Sequence, residues 1–278
     1  MKIPNEIPLR HPDAFHVIGV AFSAAKIIEK IYAGDFTTEF KDGEEPVTAA
    51  DRQSDLHIIS ELRSRHPHDR ILSEEHGLNE PPAFNNRVWF IDPIDGTSEF
   101  IKRSGEFAIQ IGLAVGGSLD FGLVYQPIGR NLYVAARGEG CWWYNPASGW
   151  QRLQISPRGS YLRLAVSRSH PCPLGRSVHE KLSGTGVFAC GGVGLKLMAM
   201  ARGLADYYIN SSNKTKAWDI AAPEILFVEA GGQVSDLAGG AFSYDPADFR
   251  HRHGLLAACD RTLQQQVVSL AGPLKIQA

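Results

Sequence analysis

The apolar run Val88-Trp89-Phe90-Ile91 leads directly into Asp92, and Asp95 follows three residues later in the stretch WFIDPIDGTSEFIKRSGEF. Carboxylates at the end of a buried strand are poorly solvated and well placed to hold a cation. Three further segments carry acids: PVTAAD ending at Asp51, LSEEHG with Glu74 and Glu75, and WDIAAP with Asp219. Two of the four segments fall where strands should end and two near helix starts. Gathered in one cleft, these acids would repel one another, and burial would raise their pKa values. A hard divalent cation cancels that cost. The donors are oxygens rather than His or Cys, which favours magnesium over zinc.

The DPID turn has a chemical logic of its own. Pro93 cannot donate to a sheet and is expected to end the strand. The turn would aim Asp92 and Asp95 at one point and leave the carbonyl of Ile94 free to act as a ligand. Gly96 permits close backbone approach. Thr97 is expected to open a helix or turn whose amides point at an anion. A single aspartate at a helix start is far more often a cap than a ligand, which applies to Asp51 and Asp219 taken one at a time. The four segments together favour a metal site.

The elements that must position these acids can be read from periodicity. Residues 14–32 repeat apolar side chains at helical spacing, between Pro12-Asp13 and Gly34. A second helix is expected to start at Thr48 as N-cap, with Asp51 in its first turn, and to stop at Pro67. DRILSEEHG and RVWFIDPID read as strands ending in acids. FAIQIGLAVGGSLDFGLVYQP reads as two strands around a Gly-Gly-Ser turn, and NLYVAARGEGCWWY as another pair. After about residue 156 the pattern alternates: LRLAVSRSH a strand, SVHEKLSG a short helix, LKLMAMARGLADYYI a helix then a strand. WDIAAPEILFVEAGG follows as a helix closed by glycines, HGLLAACD as a strand and RTLQQQVVSL as a last helix. The first half is thus α+β and the second more regularly α/β. No linker divides residues 1–155 from 156–278, so residues 1–278 are expected to form a single catalytic unit.

The 278 residues suffice for a sizeable core, and a hydrophobic fraction of 44% with 21% charged is ordinary for a globular chain. A formal net charge of −2 gives no basic surface for a nucleic-acid polymer. The cysteines, Cys141, Cys172, Cys190 and Cys259, lack C-x-x-C spacing and read as free thiols of a reducing compartment. The charged, proline-containing start lacks the apolar core of a signal peptide, and no window suits a membrane span. The expectation is a cytoplasmic protein without membrane insertion.

KDGEEPVTAAD, ILSEEHG, WFIDPIDGTSEF and KAWDIAAPEILFVEAGG resemble, in order, the signature of the inositol monophosphatase superfamily, over about Phe15 to Cys259. The resemblance implies the layered αβαβα sandwich of the inositol monophosphatase and fructose-1,6-bisphosphatase type. It also implies phosphomonoester hydrolysis dependent on two or three Mg2+ ions and inhibited by Li+. Carried over by motif position, Glu74, Asp92, the Ile94 carbonyl, Asp95 and Asp219 would hold the metals. Asp51 would serve a further metal or its water shell, and Thr97 would help Glu74 orient the attacking water. Lys41 matches a lysine preceding the VT-x-x-D element. His76 stands where many relatives have serine, which leaves the ligands intact.

Within the superfamily, DGTSEFIKRSGEFAIQIGL, AVSRSH and GGVGLKLM resemble the CysQ-type 3′(2′),5′-bisphosphate nucleotidases, although Leu195 replaces the asparagine of eukaryotic members. The implied substrate is adenosine 3′,5′-bisphosphate, a small phosphate ester. Its second phosphate requires fixed donors and positive charge. Ser167, Arg168, His170 and Lys196 are the candidates, with backbone amides at Gly191 and Gly192. Gly96, Thr97 and Asp219 would touch substrate near the reacting phosphate. Taken alone, Arg168 and His170 could be a solvated loop and Lys196 an exposed helix residue. Alternative substrates are inositol 1-phosphate, another sugar phosphate or histidinol phosphate; a sensor without turnover is the non-enzymatic alternative. Related folds occur as monomers and homodimers. His66-Pro67-His68 and His251-Arg252-His253 read as surface histidines; Trp142-Trp143-Tyr144 could stack on a base, but a sheet-edge or packing role is the better reading. No G-x-S-x-G motif supports a serine hydrolase.

Overall fold

The computed structural model describes residues 4, 6–41, 45–156 and 161–272; Asp42-Gly43-Glu44 of the first acidic motif lie outside them. The periodic run near the N-terminus forms α1 (Ala14–Ala33), which buries Val17, Ile18, Ala21, Phe22 and Ile28. A hairpin of β1 (Thr38–Lys41) and β2 (Glu45–Thr48) leads into α2 (Ala49–Arg65). There follow β3 (Arg70–Ser73), β4 (Gly77–Asn79), β5 (Arg87–Asp95) and a short α3 (Thr97–Ile101). The first half closes with β6 (Ala108–Val115), β7 (Ser118–Gln126), β8 (Asn131–Ala136), β9 (Gly140–Asn145) and β10 (Gly149–Leu153). The strands β3 to β10 form one sheet in the order β10-β9-β8-β7-β6-β5-β3-β4, antiparallel except where β3 runs parallel to β5.

The second half contributes β11 (Arg163–Ser167), α4 (Pro173–Lys181), β12 (Gly186–Cys190), α5 (Val193–Ala201) and β13 (Tyr207–Asn210). It ends with α6 (Ala217–Glu229), β14 (Gln233–Ser235), β15 (Leu255–Ala258) and α7 (Arg261–Ala271). Its sheet runs β12-β11-β13-β15-β14, with β11 parallel to both neighbours and β15 antiparallel to both of its own.

The layers follow from which apolar face each element buries. The helices α1 and α2 cover one face of the larger sheet, with Trp89, Ile91, Ile109, Ile111 and Leu123 beneath them. The helices α5 and α6 fill the space between the two sheets, and α4 and α7 cover the outer face of the smaller one. The result is an αβαβα sandwich. Two glycines let α6 lie close on the larger sheet. A Cβ at Gly112 would stand 2.9 Å from the Ala221 Cβ, and one at Gly122 would stand 2.5 Å from Ile225 Cγ2. That contact fixes the helix whose first turn carries Asp219.

The differences from the sequence reading are local. Pro93 does not end its strand: β5 continues to Asp95 across a register shift between Asp92 and Asp95 against β6. A bulge accommodates the missing donor and turns both acids. The short strands β4, β10, β12 and β14 and the β1–β2 hairpin were not expected, and α4 begins at Pro173, ahead of Ser177. His66 and His251 are not surface residues. His66 lies 3.3 Å from Asp13 at the end of α2, and His251 is buried against Phe242.

Candidate active site

The start of α2 is a capping box. Asp51 Oδ2 accepts from Thr48 N at 2.8 Å and from Thr48 Oγ1 at 2.7 Å, and Thr48 Oγ1 accepts from Ala50 N. The cap reading of Asp51 is therefore correct as far as it goes. Its second oxygen does something else: Oδ1 lies 3.2 Å from Thr97 Oγ1, which is also 3.2 Å from the Ile94 carbonyl. The buried Asp51 thus ties α2 to the DPIDGT turn. Gly96 takes φ +99°, the left-handed region open to glycine, and lets the chain pass from β5 into α3.

Asp92 and Asp95 are both buried. Asp92 Oδ1 accepts from Ile94 N at 2.9 Å, which fixes the bulge. Asp95 points at the N-terminus of α5, where Oδ1 accepts from Val193 N at 2.9 Å and Oδ2 from Gly194 N at 2.7 Å. The anion at that helix N-terminus is the protein's own carboxylate. Gly192 is required there, because a Cβ would stand 2.2 Å from Asp95 Oδ2. One at Gly191 would stand 2.0 Å from the Glu106 carbonyl. The glycine pair therefore serves the seam between the halves, where a side chain would collide with Glu106 or Asp95.

Glu74 sits at the turn after β3, its amide bonded to the Ile91 carbonyl at 3.1 Å, with 20% of its side chain exposed. Lys41 Nζ lies 3.5 Å from Glu74 Oε1 and 2.5 Å from Glu75 Oε1. Burial works against the lysine's charge, yet Glu74 and Glu75 hold its pKa above the usual value. Asp219, half-buried in the first turn of α6, accepts from Lys216 N at 2.7 Å.

The electrostatics of the set are one-sided. Burial pushes Glu74 up to about 8, against the pull of Lys41 and with the charges of Asp219, Glu75 and Asp51 adding to the rise. Burial pushes Asp219 to about 7, against the Lys216 amide and with Asp95 adding to it. Asp92 stands well above the usual range through burial and then through Glu74, Asp95, Asp219 and Asp51; Asp51 and Asp95 are also raised, chiefly by burial. Oxygen-only donors with excess negative charge and little water stay neutral by protonation or by taking up a hard cation. The donor chemistry therefore fits a divalent ion. Among the described residues no three Asp, Glu, His or Cys side chains converge as a ready-made ligand cluster. Asp51, Asp92, Asp95 and Asp219 each turn an oxygen onto a backbone amide.

The expected substrate contacts are placed unevenly. Lys196 does not present a free cation: it is 2% exposed, its Nζ donates to the Gly191 carbonyl, and it lies 5.1 Å from the Tyr208 ring centroid. Burial lowers its pKa, while the charge of Asp95 opposes the fall. Arg168 is an exposed loop residue, but both arms of its guanidinium bond Glu106, at 2.6 and 2.7 Å. His170 is exposed, and its amide donates to Ser167 Oγ at 3.1 Å. Ser169, not singled out from sequence, accepts from Lys102 Nζ and donates to buried Glu99, both at 2.6 Å. Trp142 and Trp143 pack under Arg152 and Arg202. The four cysteines are free thiols. No helix is long and apolar enough to cross a membrane among the described residues.

The inositol monophosphatase family model matches residues 10–273. A 3′(2′),5′-bisphosphate nucleotidase CysQ of Salmonella typhimurium is 34% identical over 241 residues, 84% of this chain and 94% of that protein. Inositol monophosphatase 2 of Homo sapiens is 32% identical over 238 residues, 80% of each chain. The solved IMPase of Thermotoga maritima superposes with a TM-score of 0.77 at 22% identity, over 92% of this chain and 94% of its own, a likeness of fold. Taken with the ordered acidic motifs and the sandwich that gathers them, these matches place the chain in the inositol monophosphatase family, a family of phosphatases.

Proposed function

We propose that the chain is a magnesium-dependent phosphomonoesterase that removes the 3′-phosphate of adenosine 3′,5′-bisphosphate and leaves AMP. It works as one catalytic unit in the cytoplasm, as a monomer or homodimer. The observation that carries the reading is the buried and half-buried, oxygen-only set of acids around the DPID turn, whose pKa values burial and then one another's charges raise. The nucleotidase name of the Salmonella relative supports the substrate.

Glu74, Asp92, the Ile94 carbonyl, Asp95 and Asp219 would hold the metal, with Asp51 beside them. When bound, magnesium supplies charge neutralisation for the phosphate and lowers the pKa of a bound water. The chain's own part is positioning. Thr97 Oγ1 has one proton; with that proton on Asp51 Oδ1, its lone pairs can accept from a water. Glu74, partly exposed, would take the proton of that water in its ionised form, which a bound cation would favour. Gly96 lets the phosphate approach the backbone at the start of α3. Ser167 and His170 offer the second phosphate donors on a loop tied to α3 through Ser169 and Glu99.

The human relative favours inositol 1-phosphate as the alternative ester. Comparing kcat/KM for adenosine 3′,5′-bisphosphate, inositol 1-phosphate and histidinol phosphate in magnesium decides between them. Preference for the bisphosphate is the expected result, and preference for either monophosphate would overturn the substrate assignment.

A further inference from the structure

A second carboxylate on α2 lies one turn beyond Asp51. Asp55 is four residues on, so both acids project from the same helix face. Asp55 is completely buried. Its Oδ2 accepts from Ser73 Oγ at 2.9 Å and faces His76 Nδ1 at 2.5 Å. With Asp55 ionised the carboxylate can only accept, which puts the proton on Nδ1. Ser73 Oγ in turn accepts from His76 N at 3.1 Å. Asp55 Oδ1 has no hydrogen-bond partner among the described residues, so its polar contacts go to Ser73 and His76 alone.

Those contacts close a ring around residues 73–76, the turn that carries Glu74 and Glu75. A carboxylate buried in mid-helix is costly, and nothing in helix formation requires one. Here it reaches only the acid-bearing turn. The helix also anchors Thr97 through Asp51. Two groups assigned to the attacking water are therefore held from a single helix, at points four residues, about 6 Å, apart.

We propose that Asp55 and His76 are positioning residues: the pair locks the 73–76 turn to α2 and so sets Glu74 relative to Thr97. The inference rests on the phosphatase reading for its consequence, because it acts through Glu74. His76 is the residue to vary, since 38% of its side chain is exposed and its replacement disturbs little packing. Asparagine restores a donor at the Nδ1 position; glutamine places its donor at the Nε2 position; alanine removes both.

Each variant is compared with the parent by magnesium titration in a calorimeter, by kcat and KM for magnesium-dependent phosphate release, and by thermal unfolding. In the alanine and glutamine variants kcat and magnesium affinity should each fall about 10-fold or more, the usual effect of losing a group that orients a ligand. KM for the ester should stay within about twofold, and His76→Asn should stay within about threefold of the parent throughout. Should His76→Ala fail to fold, the asparagine and glutamine pair still decides. Unchanged kcat and magnesium affinity in His76→Gln, or equal losses in the asparagine and glutamine variants, would overturn the proposal. A parent protein that binds magnesium but releases no phosphate refutes the phosphatase reading instead, and the calorimetric ranking of the variants then tests the lock by itself.

Discussion

Replacing Asp95 by asparagine should cost stability as well as turnover, whereas the same change at Asp92 should cost turnover alone. Asp95 accepts two backbone amides of α5, one on each oxygen. An asparagine can accept only one of them, and its own amide then faces the other N–H. The loss is one charge-assisted hydrogen bond, roughly 1.5–3 kcal/mol. Buried Lys196 also loses a carboxylate that holds its charge. Asp95 and Lys196 make no direct ion pair, so the combined loss stays near that of the hydrogen bond, roughly 1.5–3 kcal/mol. Against a total stability of about 5–15 kcal/mol, the urea midpoint should fall by about 0.5 M or more. Asp92 uses one oxygen on the Ile94 amide, and the asparagine oxygen keeps that bond. It also removes an acid that burial and its acidic neighbours disfavour in the ionised form, so metal-free Asp92→Asn should be at least as stable as the parent. Urea unfolding followed by circular dichroism, with magnesium-dependent phosphate release alongside, reads both effects. An Asp95→Asn protein that unfolds at the parental midpoint, or an Asp92→Asn protein that is the less stable of the two, would refute the argument.

Other outcomes follow from the same geometry. Glu74 and Asp219 have folded pKa values of about 8 and about 7, above those of an unfolded chain near 4. The native state therefore keeps protons that the unfolded chain releases, and metal-free stability should be greatest at low pH within this window and fall as pH rises through about 7–8. Melts from about pH 5 to about pH 9 in chelator should show that slope and magnesium should flatten it; a rising slope in chelator would contradict the assignment. Lys196→Met should lower stability and reduce kcat/KM equally on the bisphosphate and on inositol 1-phosphate, because the lysine holds the Gly191 carbonyl. A KM increase confined to the bisphosphate would restore Lys196 as a phosphate contact. Calcium should fail to replace magnesium in a turnover assay, since its longer and looser coordination misplaces the water, and lithium should inhibit at low concentration.

Much of the fold was legible because long periodic runs carry strong signals. The α1 run and the Thr48–Asp51 cap gave nearly correct helix positions, and the Gly116-Gly117 turn falls where β6 meets β7, both residues with positive φ. The three-residue β14 and the short β12 lie in segments too brief for alternation to stand out from a loop. Pro93 was misread because a bulge can absorb the donor it lacks. The acidic motifs were evident by residue type. Their hydrogen bonding was not, since it depends on β5, α2 and α5 meeting in space. The burial of Lys196 did leave a trace: GLKLMAMA is apolar on all sides, the mark of a helix enclosed all round. Asp55 four residues after Asp51 was a similar sign, readable only once His76 was known to face it.

The most direct test of the central claim is phosphate release from adenosine 3′,5′-bisphosphate by the purified protein, measured in chelator, in magnesium, and in magnesium with Asp92→Asn in place of the parent. The acids around the DPID turn, if they hold a catalytic cation, predict release only from the parent in magnesium, with AMP as the nucleotide product. Equal release in chelator, or undiminished release by Asp92→Asn, would contradict the claim.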